Sequence, residues 1–339
     1  MEKQQNQLVV IAPVKNEEWI IEKFLTACSA WADYIILADQ NSTDRTVELA
    51  QHFPKVKVVR NSSGQYSEIE RSKLMLNAVR EIEGPKAVLA IDADEFFTGD
   101  IFHSVELQQL YYSPPGTVFK FFRFNFAPGF NGIFNELPMV IGFVDDGRTG
   151  MDTTAKSNIH NMRVPFPPDS PGIITFHDIR IMHYDFLDFE RAKSKARWYQ
   201  CFERTVNKKE QIAMFRNYFI PDKVADLKLY TEIRPFHEHE RMKWIQPYSD
   251  KGIDMTSIRS PLRYWWDPET EEMLRNNTSA GFDVLNIWSY RFPADAYRRP
   301  TFIRRAFNLM VRRYLIRTQP KRNTARIRRI DRLITLIYR

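Results

Sequence analysis

Asp92-Ala93-Asp94 follows directly on the apolar run Ala87-Val88-Leu89-Ala90-Ile91, so two carboxylates stand at the mouth of a buried strand. In extended chain, residues two apart point the same way, and Asp92 and Asp94 can share one site. Carboxylates that close repel unless a cation lies between them. Hard divalent cations such as Mg²⁺ or Mn²⁺ take such oxygen ligands and often bind phosphates on their far side. A solvated acidic turn after a strand has the same composition. Asp39-Gln40-Asn41-Ser42-Thr43-Asp44 closes an earlier apolar run. Asp39 is suited to accept a hydrogen bond from a base imide or a ribose hydroxyl, whereas Ser42 to Asp44 read as capping residues. Lys195 and Tyr199 are four apart in a helical stretch and share a face. That face either counters the charge of a leaving diphosphate or is simply solvated. His237-Glu238-His239 places two imidazoles at i and i+2, either on a metal or exposed among charges.

The elements that must position these residues alternate in type. Leu8–Ala12, Tyr34–Ala38 and Ala87–Ile91 are short apolar runs of strand character, and Val56-Lys57-Val58-Val59 is a further strand. Between them lie a helix capped by Asn16 and running to Ser29, a helix opened by Ser42-Thr43-Asp44, a polar loop at Asn61–Gly64, and a helix from Ser67 to Glu81 that stops at Gly84-Pro85. Four βα units in series predict a mainly parallel sheet with helices on both faces. In such sheets ligands bind at the carboxyl ends of the strands, where Asp39, Asn61 and Asp92 fall. Residues 117–124 and 173–176 read as further strands in mixed pairing, 165–171 as a proline-rich loop, and 188–210 as a charged helix.

Three of these stretches, in this order, resemble glycosyltransferase family 2: Val10-Ile11-Ala12-Pro13-Val14-Lys15-Asn16-Glu17, Asp39 to Asp44, and the DxD of Asp92 to Asp94. The likeness covers residues 8 to about 100 well and 170–200 more loosely. It implies an α/β fold of GT-A type, Rossmann-like, with a mixed, mainly parallel sheet. It also implies a nucleoside diphosphate sugar donor and a divalent metal, Mn²⁺ or Mg²⁺. Carried over, Pro13 and Glu17 would line the base pocket, Asp39 would contact the base, and Arg71 would reach the ribose–phosphate region. Asp92 would hold the ribose and help order the metal, which Asp94 would ligate. The stretch Tyr66 to Lys73 departs from the family's usual Ala-Arg-Asn, which puts Arg71 in doubt. GT-A enzymes often complete the metal site with a histidine after the acceptor region, and His183 stands in that place. An inverting transfer needs a base, and the family places a carboxylate downstream of the DxD. Glu136, Asp145, Asp146 and Asp178 are the candidates, with Asp145 or Asp146 preferred because they follow the apolar run Met139–Val144.

Composition bounds these readings. The 339 residues are 43% hydrophobic and 27% charged, a globular balance rather than a disordered one. Two cysteines, Cys28 and Cys201, exclude a disulfide framework and a cysteine zinc cluster and suit a reducing compartment. Neither a GxGxxG fingerprint nor a P-loop occurs. No apolar run reaches the 18 residues of a membrane span, and residues 1–7 are too polar for a signal peptide, so a cytoplasmic location is expected. The net charge of +7 divides unevenly. Residues 301–339 hold twelve Arg or Lys and one acid, giving +11, and the remaining 37 basic and 41 acidic residues give −4. Apolar residues recur through this tail at helical spacing, in two runs split by Pro320. Two basic amphipathic helices suit the anionic inner face of a plasma membrane, or packing on protein; nucleic acid is not the expected partner.

The expected organisation is a catalytic domain over 1–230, with 1–100 the nucleotide-sugar half and 101–230 the acceptor half. An extension over 231–300 would pack on it, followed by the helical tail at 301–339. The expected function is a metal-dependent, inverting sugar transfer to a glycan or lipid-linked acceptor in lipopolysaccharide, capsule or other surface glycan synthesis. The competing readings are a nucleotidyltransferase, disfavoured because no Gly-rich, Arg-containing loop follows the first strand, and a membrane-associated scaffold with a degenerate transferase body.

Overall fold

Apolar runs with side chains buried on both faces suit the interior of a parallel sheet, and the first such run becomes an interior strand. In the computed structural model, which describes residues 5–61, 67–152, 154, 161–258, 261, 264–277, 281–285 and 301–338, the chain forms nine strands and eleven α-helices among the described residues. The first part runs β1 (Gln7–Val14), α1 (Ile21–Ser29), β2 (Tyr34–Asp39), α2 (Thr46–Ala50), β3 (Val56–Arg60), α3 (Glu68–Arg80), β4 (Lys86–Ala90) and β5 (Glu95–Phe97). Then come α4 (Leu107–Tyr112), β6 (Val118–Phe126), β7 (Ile133–Val144), β8 (Ile173–Thr175) and β9 (Ile181–His183). The rest is helical: α5 (Phe189–Thr205), α6 (Gln211–Asn217), α7 (Glu238–Trp244), α8 (Gln246–Ser249), α9 (Trp266–Asn276), α10 (Phe302–Thr318) and α11 (Ala325–Ile337). The expected loop from Ser62 to Gly64 lies outside the described residues, as do Tyr66 and the stretch 286–300 of the expected extension.

The strands make one sheet in the order β3-β2-β1-β4-β7-β6-β9-β5, with β8 also paired to β6. The first four are parallel; β7 is antiparallel to β4 and to β6, and β9 is parallel to β6. Side-chain alternation along β1 builds the two faces. Leu8, Val10 and Ala12 join Ile21, Phe24, Leu25 and Cys28 of α1 in one core. Val9 and Ile11 join Met75, Leu76 and Val79 of α3 in the other. This is the mixed, mostly parallel sheet of the α/β class expected from the sequence.

The chain divides into two units, residues 1–187 with 234–261, and residues 188–233 with 262–339. The division differs from boundaries at 230 and 300. Ile133 and Arg234 exchange backbone hydrogen bonds, and the Tyr248 hydroxyl donates to the Phe97 carbonyl, so 234–261 joins the sheet unit. In the other unit Ser194 and Arg197 of α5 both bond Asp267 of α9, at 2.9 and 3.1 Å. The tail belongs there too. Val311, Leu315 and Tyr338 pack with Ile212, Met214 and Phe215 of α6 and with Cys201 of α5. Among the described residues no helix is long and apolar enough to cross a membrane.

Candidate active site at the carboxyl ends of the parallel strands

Strand register places the motif residues on one edge. Pro13 pairs with Ala38 and Val14 with Asp39, while Ile11 pairs with Ala90, two residues short of Asp92. Pro13, Asp39 and Asp92 therefore share the carboxyl ends of β1, β2 and β4. With neighbouring strands about 4.8 Å apart, the ends of β2 and β4 are roughly 10 Å apart across β1. That separation matches a base at one end and a diphosphate at the other.

The first two motifs are bound to each other. Asn16 takes a left-handed conformation (φ 54°), and its amide oxygen accepts from the Thr43 N–H at 2.7 Å. Ser42 Oγ accepts from Asn16 N–H, Thr46 Oγ1 from Glu17 N–H, and Asp44 from Glu18 N–H. Two expectations change here. Asn16 does not cap α1, which begins at Ile21 without a side-chain cap. Ser42 and Thr43 serve the neighbouring loop and not only their own helix, while Asp44 does bond Thr46 locally. Asp39 is buried, and its Oδ1 accepts from Ser42 N–H at 3.1 Å. Glu17 accepts from the Trp19 indole at 2.6 Å. Arg71 lies on α3, 3.6 Å from Glu68.

The two aspartates of the DxD have different nearest partners. Asp92 Oδ2 accepts from Arg163 Nη2 at 2.8 Å. The same guanidinium pairs with Glu95, which has no solvent exposure and is also bound by Arg123 at 3.0 Å. Burial works against charge on Glu95, yet Arg163 and Arg123 together hold its carboxyl well below the usual range. Asp94 is also buried. Its Oδ1 is 3.5 Å from His183 Nε2, and ligand atoms of Asp94, His183 and Asp185 all lie within 4.8 Å of one another. The His183 ring is set by Asn125, whose Oδ1 is 2.6 Å from Nδ1. With Nδ1–H donating there, Nε2 keeps its lone pair for a ligand, the usual device for orienting a metal-binding imidazole. Two carboxylates and one such imidazole suit Mn²⁺ or Mg²⁺. The candidate metal set is thus Asp94, His183 and Asp185; Asp92, also expected as a ligand, bonds Arg163 through Oδ2.

The preferred base candidates lie at the wrong end of the sheet. Because β7 runs antiparallel to β4, Val144 pairs with Ala87 and Asp145 N–H bonds the Lys86 carbonyl. Asp145 and Asp146 therefore sit at the amino end of β4, about 20 Å along the strand from Asp92. Asp145 is bound by Arg80 at 3.0 Å. Burial disfavours the charge on Asp146, but bonds from Thr149 and Arg148 outweigh it and hold its pKa at about 2, too weak a base for proton abstraction. Glu136 pairs with Arg180, and Asp178 with Lys243 at 3.3 Å. Register puts Glu136 nearer the site. Asn125 pairs with both Phe134 and His183, and Arg123 with both Leu137 and Ile181, so Glu136 is within two residues of the His183 level.

Lys195 and Tyr199 belong to the other unit, where Lys195 Nζ lies over the Trp266 ring and Tyr199 stacks on Tyr218. His237 caps α7 in a capping box and stacks on His239; no third ligand joins them among the described residues.

Sequence reasoning missed Asp185, Glu95, Asn125 and Arg163. Asp185 had a signal, since His183-Tyr184-Asp185 repeats the i, i+2 spacing of the DxD. Arg163 had none, being far from Asp92 in sequence.

Residues 9–123 match the family model described as glycosyl transferase family 2. The matched segment is about a third of the chain. It holds both aspartates of the DxD, Asp39, Arg123 and Glu95, while His183, Asp185 and Arg163 lie beyond it. None of the curated proteins matches the chain. Among solved structures it overlaps glucosyl-3-phosphoglycerate synthase from Mycobacterium tuberculosis in complex with Mn²⁺, UDP and glucosyl-3-phosphoglycerate, at 22% identity and TM-score 0.28. That overlap covers 35% of this chain and 44% of that one, so the chain spans under half of that synthase's length. It also overlaps HddC from Yersinia pseudotuberculosis, at 10% identity and TM-score 0.31, over 56% of this chain and 97% of that one. A 4-diphosphocytidyl-2C-methyl-D-erythritol synthase overlaps 28% of this chain and 48% of its own, at 17% identity and TM-score 0.21. At these TM-scores the overlaps carry no argument about function.

Proposed function

We propose that this protein is a metal-dependent, inverting glycosyltransferase that moves a sugar from a nucleoside diphosphate to an acceptor hydroxyl. The observation that carries the reading is the Asp94–His183–Asp185 set beside the DxD, on the sheet edge that also holds Asp39. The acceptor we assign is a glycan or lipid-linked sugar of a surface polysaccharide, an assignment that rests on family analogy.

In this reading Pro13, Glu17 and Asp39 hold the base, and Asp92, fixed by Arg163, holds the ribose. Asp94, His183 and Asp185 would hold a Mn²⁺ or Mg²⁺, which supplies charge compensation for the diphosphate as it leaves. The acceptor oxygen bonds to the anomeric carbon as the bond from that carbon to the diphosphate oxygen breaks. The acceptor proton passes to a carboxylate, and of the four considered Glu136 has the register for it. Arg71 stays as a proposed contact of the ribose–phosphate region.

Calorimetric titration with UDP, GDP, CMP and dTDP, each with and without Mn²⁺, tests the reading. One nucleotide should bind in a metal-dependent way, and Asp94→Asn should abolish that binding in folded protein. Binding that ignores both the metal and Asp94, or no nucleotide binding at all, overturns it.

A further inference from the structure

The tail helices bury one stripe and leave another bare. On α10, Asn308, Val311 and Leu315 face the core of their unit. Half a turn away, Phe302, Ile303, Leu309 and Met310 point outward, as do Leu333, Leu336 and Ile337 on α11. These seven side chains are 51–81% exposed and make up seven of the eighteen large apolar residues exposed in the described chain. Soluble surfaces scatter such residues singly, and clustering marks an interaction surface. Packing on protein therefore accounts for the inner stripe but not for the outer one.

The same outward faces are basic. Arg305, Arg313 and Arg317 on α10, and Arg326, Arg329 and Arg332 on α11, are all exposed. The tail's one acid does not offset them. Asp331 is taken by Arg216 of α6, which binds both its oxygens at 2.9 Å. Arg216 also donates to the Leu315 carbonyl, Gln319 Oε1 and Thr318 Oγ1, at 2.7, 3.1 and 2.8 Å. One buried guanidinium thus fastens the end of α10 and the middle of α11 to α6 and cancels the negative charge between them. The bare faces are held in place before any partner arrives.

We infer that the outer faces of α10 and α11 dock on an anionic lipid bilayer, lying in its interface without crossing it. Aliphatic side chains would enter the acyl boundary, and arginines would reach the lipid phosphates. Charge selects this occupant over the others. A second copy would set one arginine-rich face against another. Nucleic acid calls for stacking rings, and among the exposed apolar residues of these helices Phe302 is the single aromatic. The inference goes beyond the transferase reading and does not rest on it.

Vesicle co-sedimentation of the full chain provides the test, with phosphatidylcholine vesicles containing or lacking 30% phosphatidylglycerol. The chain should bind the anionic vesicles at least tenfold better, and 0.5 M NaCl should release most of it. Arg326→Gln/Arg329→Gln/Arg332→Gln and, separately, Phe302→Ser/Ile303→Ser/Met310→Ser should each cut binding at least tenfold while melting like the parent. Equal binding to both vesicle types, or binding that neither variant reduces, overturns the inference. So does a concentration-dependent dimer in sedimentation velocity that the apolar variant abolishes, because a second copy then covers the face.

Discussion

Removing the Arg163 guanidinium tests how the DxD is held. In Arg163→Met, Glu95 retains Arg123 at 3.0 Å but loses its second cation in a place without solvent. Breaking a buried ion pair from one side costs about 3–5 kcal/mol. Arg123 remains, and the Arg163 side chain is about a fifth exposed (22%), so the lower end, about 3 kcal/mol, applies. For domains of this size each kcal/mol moves Tm by roughly 2–4 °C, so a fall of roughly 6–12 °C is expected at pH 7. The pH dependence has a definite sign. Burial opposes charge on Glu95, but the two arginines depress its pKa in the folded state. Its stabilising contribution is therefore complete above the unfolded value of about 4.3 and fades as pH falls toward the depressed folded value. With Arg163 gone the folded pKa rises toward the unfolded one, and the variant has less to lose. The Tm gap between parent and variant should narrow from pH 7 to pH 3. Thermal melts at pH 7, 5 and 3 read this out, with Arg163→Met/Glu95→Gln alongside. The double variant removes the orphaned charge and should melt above the single one. A single variant that melts within 2 °C of the parent at pH 7, or a gap that widens in acid, would refute the reasoning.

Asp145→Asn should cost about 1–3 kcal/mol by weakening the Arg80 pair, yet leave metal-dependent nucleotide affinity unchanged, as calorimetry of the folded variant can check. Asn125→Ala should weaken Mn²⁺ affinity by about 10–100-fold by releasing His183 Nδ1, and unchanged affinity would remove Asn125 from the site. Burial pushes both cysteine thiols well above their ordinary pKa, so native protein at pH 8 should react with a disulfide reagent far more slowly than protein in 6 M guanidinium. Rapid native labelling would mean that Cys28 or Cys201 is reached by local opening.

The parallel half of the sheet was legible because β1, β2 and β4 are continuous apolar runs and the polar and Gly-Pro breaks between the elements are local signals. β1 to β4 lie within two residues of their expected limits. The short strand β5 carries no such signal, and β9 only the brief strand-like run that ends at Ile181-Met182-His183. They are three residues each, and their pairing depends on contacts far apart in sequence. The base candidates show how a local reading fails. Asp145 and Asp146 follow an apolar run just as Asp92 does, but β7 runs the other way, and one reversed strand moves its end to the far side of the sheet. Direction is set by tertiary pairing, which no window of sequence contains. The tail was legible as two helices because Pro320 and the helical spacing are local. Which stripe would be buried was not, since it depends on where Arg216 of α6 meets them.

The cross-bonds between the Asn16 and Ser42 loops have a consequence for the kinetics of ligand capture. Asn16, Glu17 and Glu18 each have their backbone N–H held by a side chain of the segment 42–46, and Asn16 returns a bond to Thr43. A loop so tied has lost its conformational freedom on folding, and little ordering is left for a ligand to impose. In the proposed reading, a nucleoside arriving at Pro13 and Asp39 would meet a finished surface. Capture should then be a single step whose observed rate rises linearly with ligand concentration, with no plateau from a slow rearrangement of this loop pair.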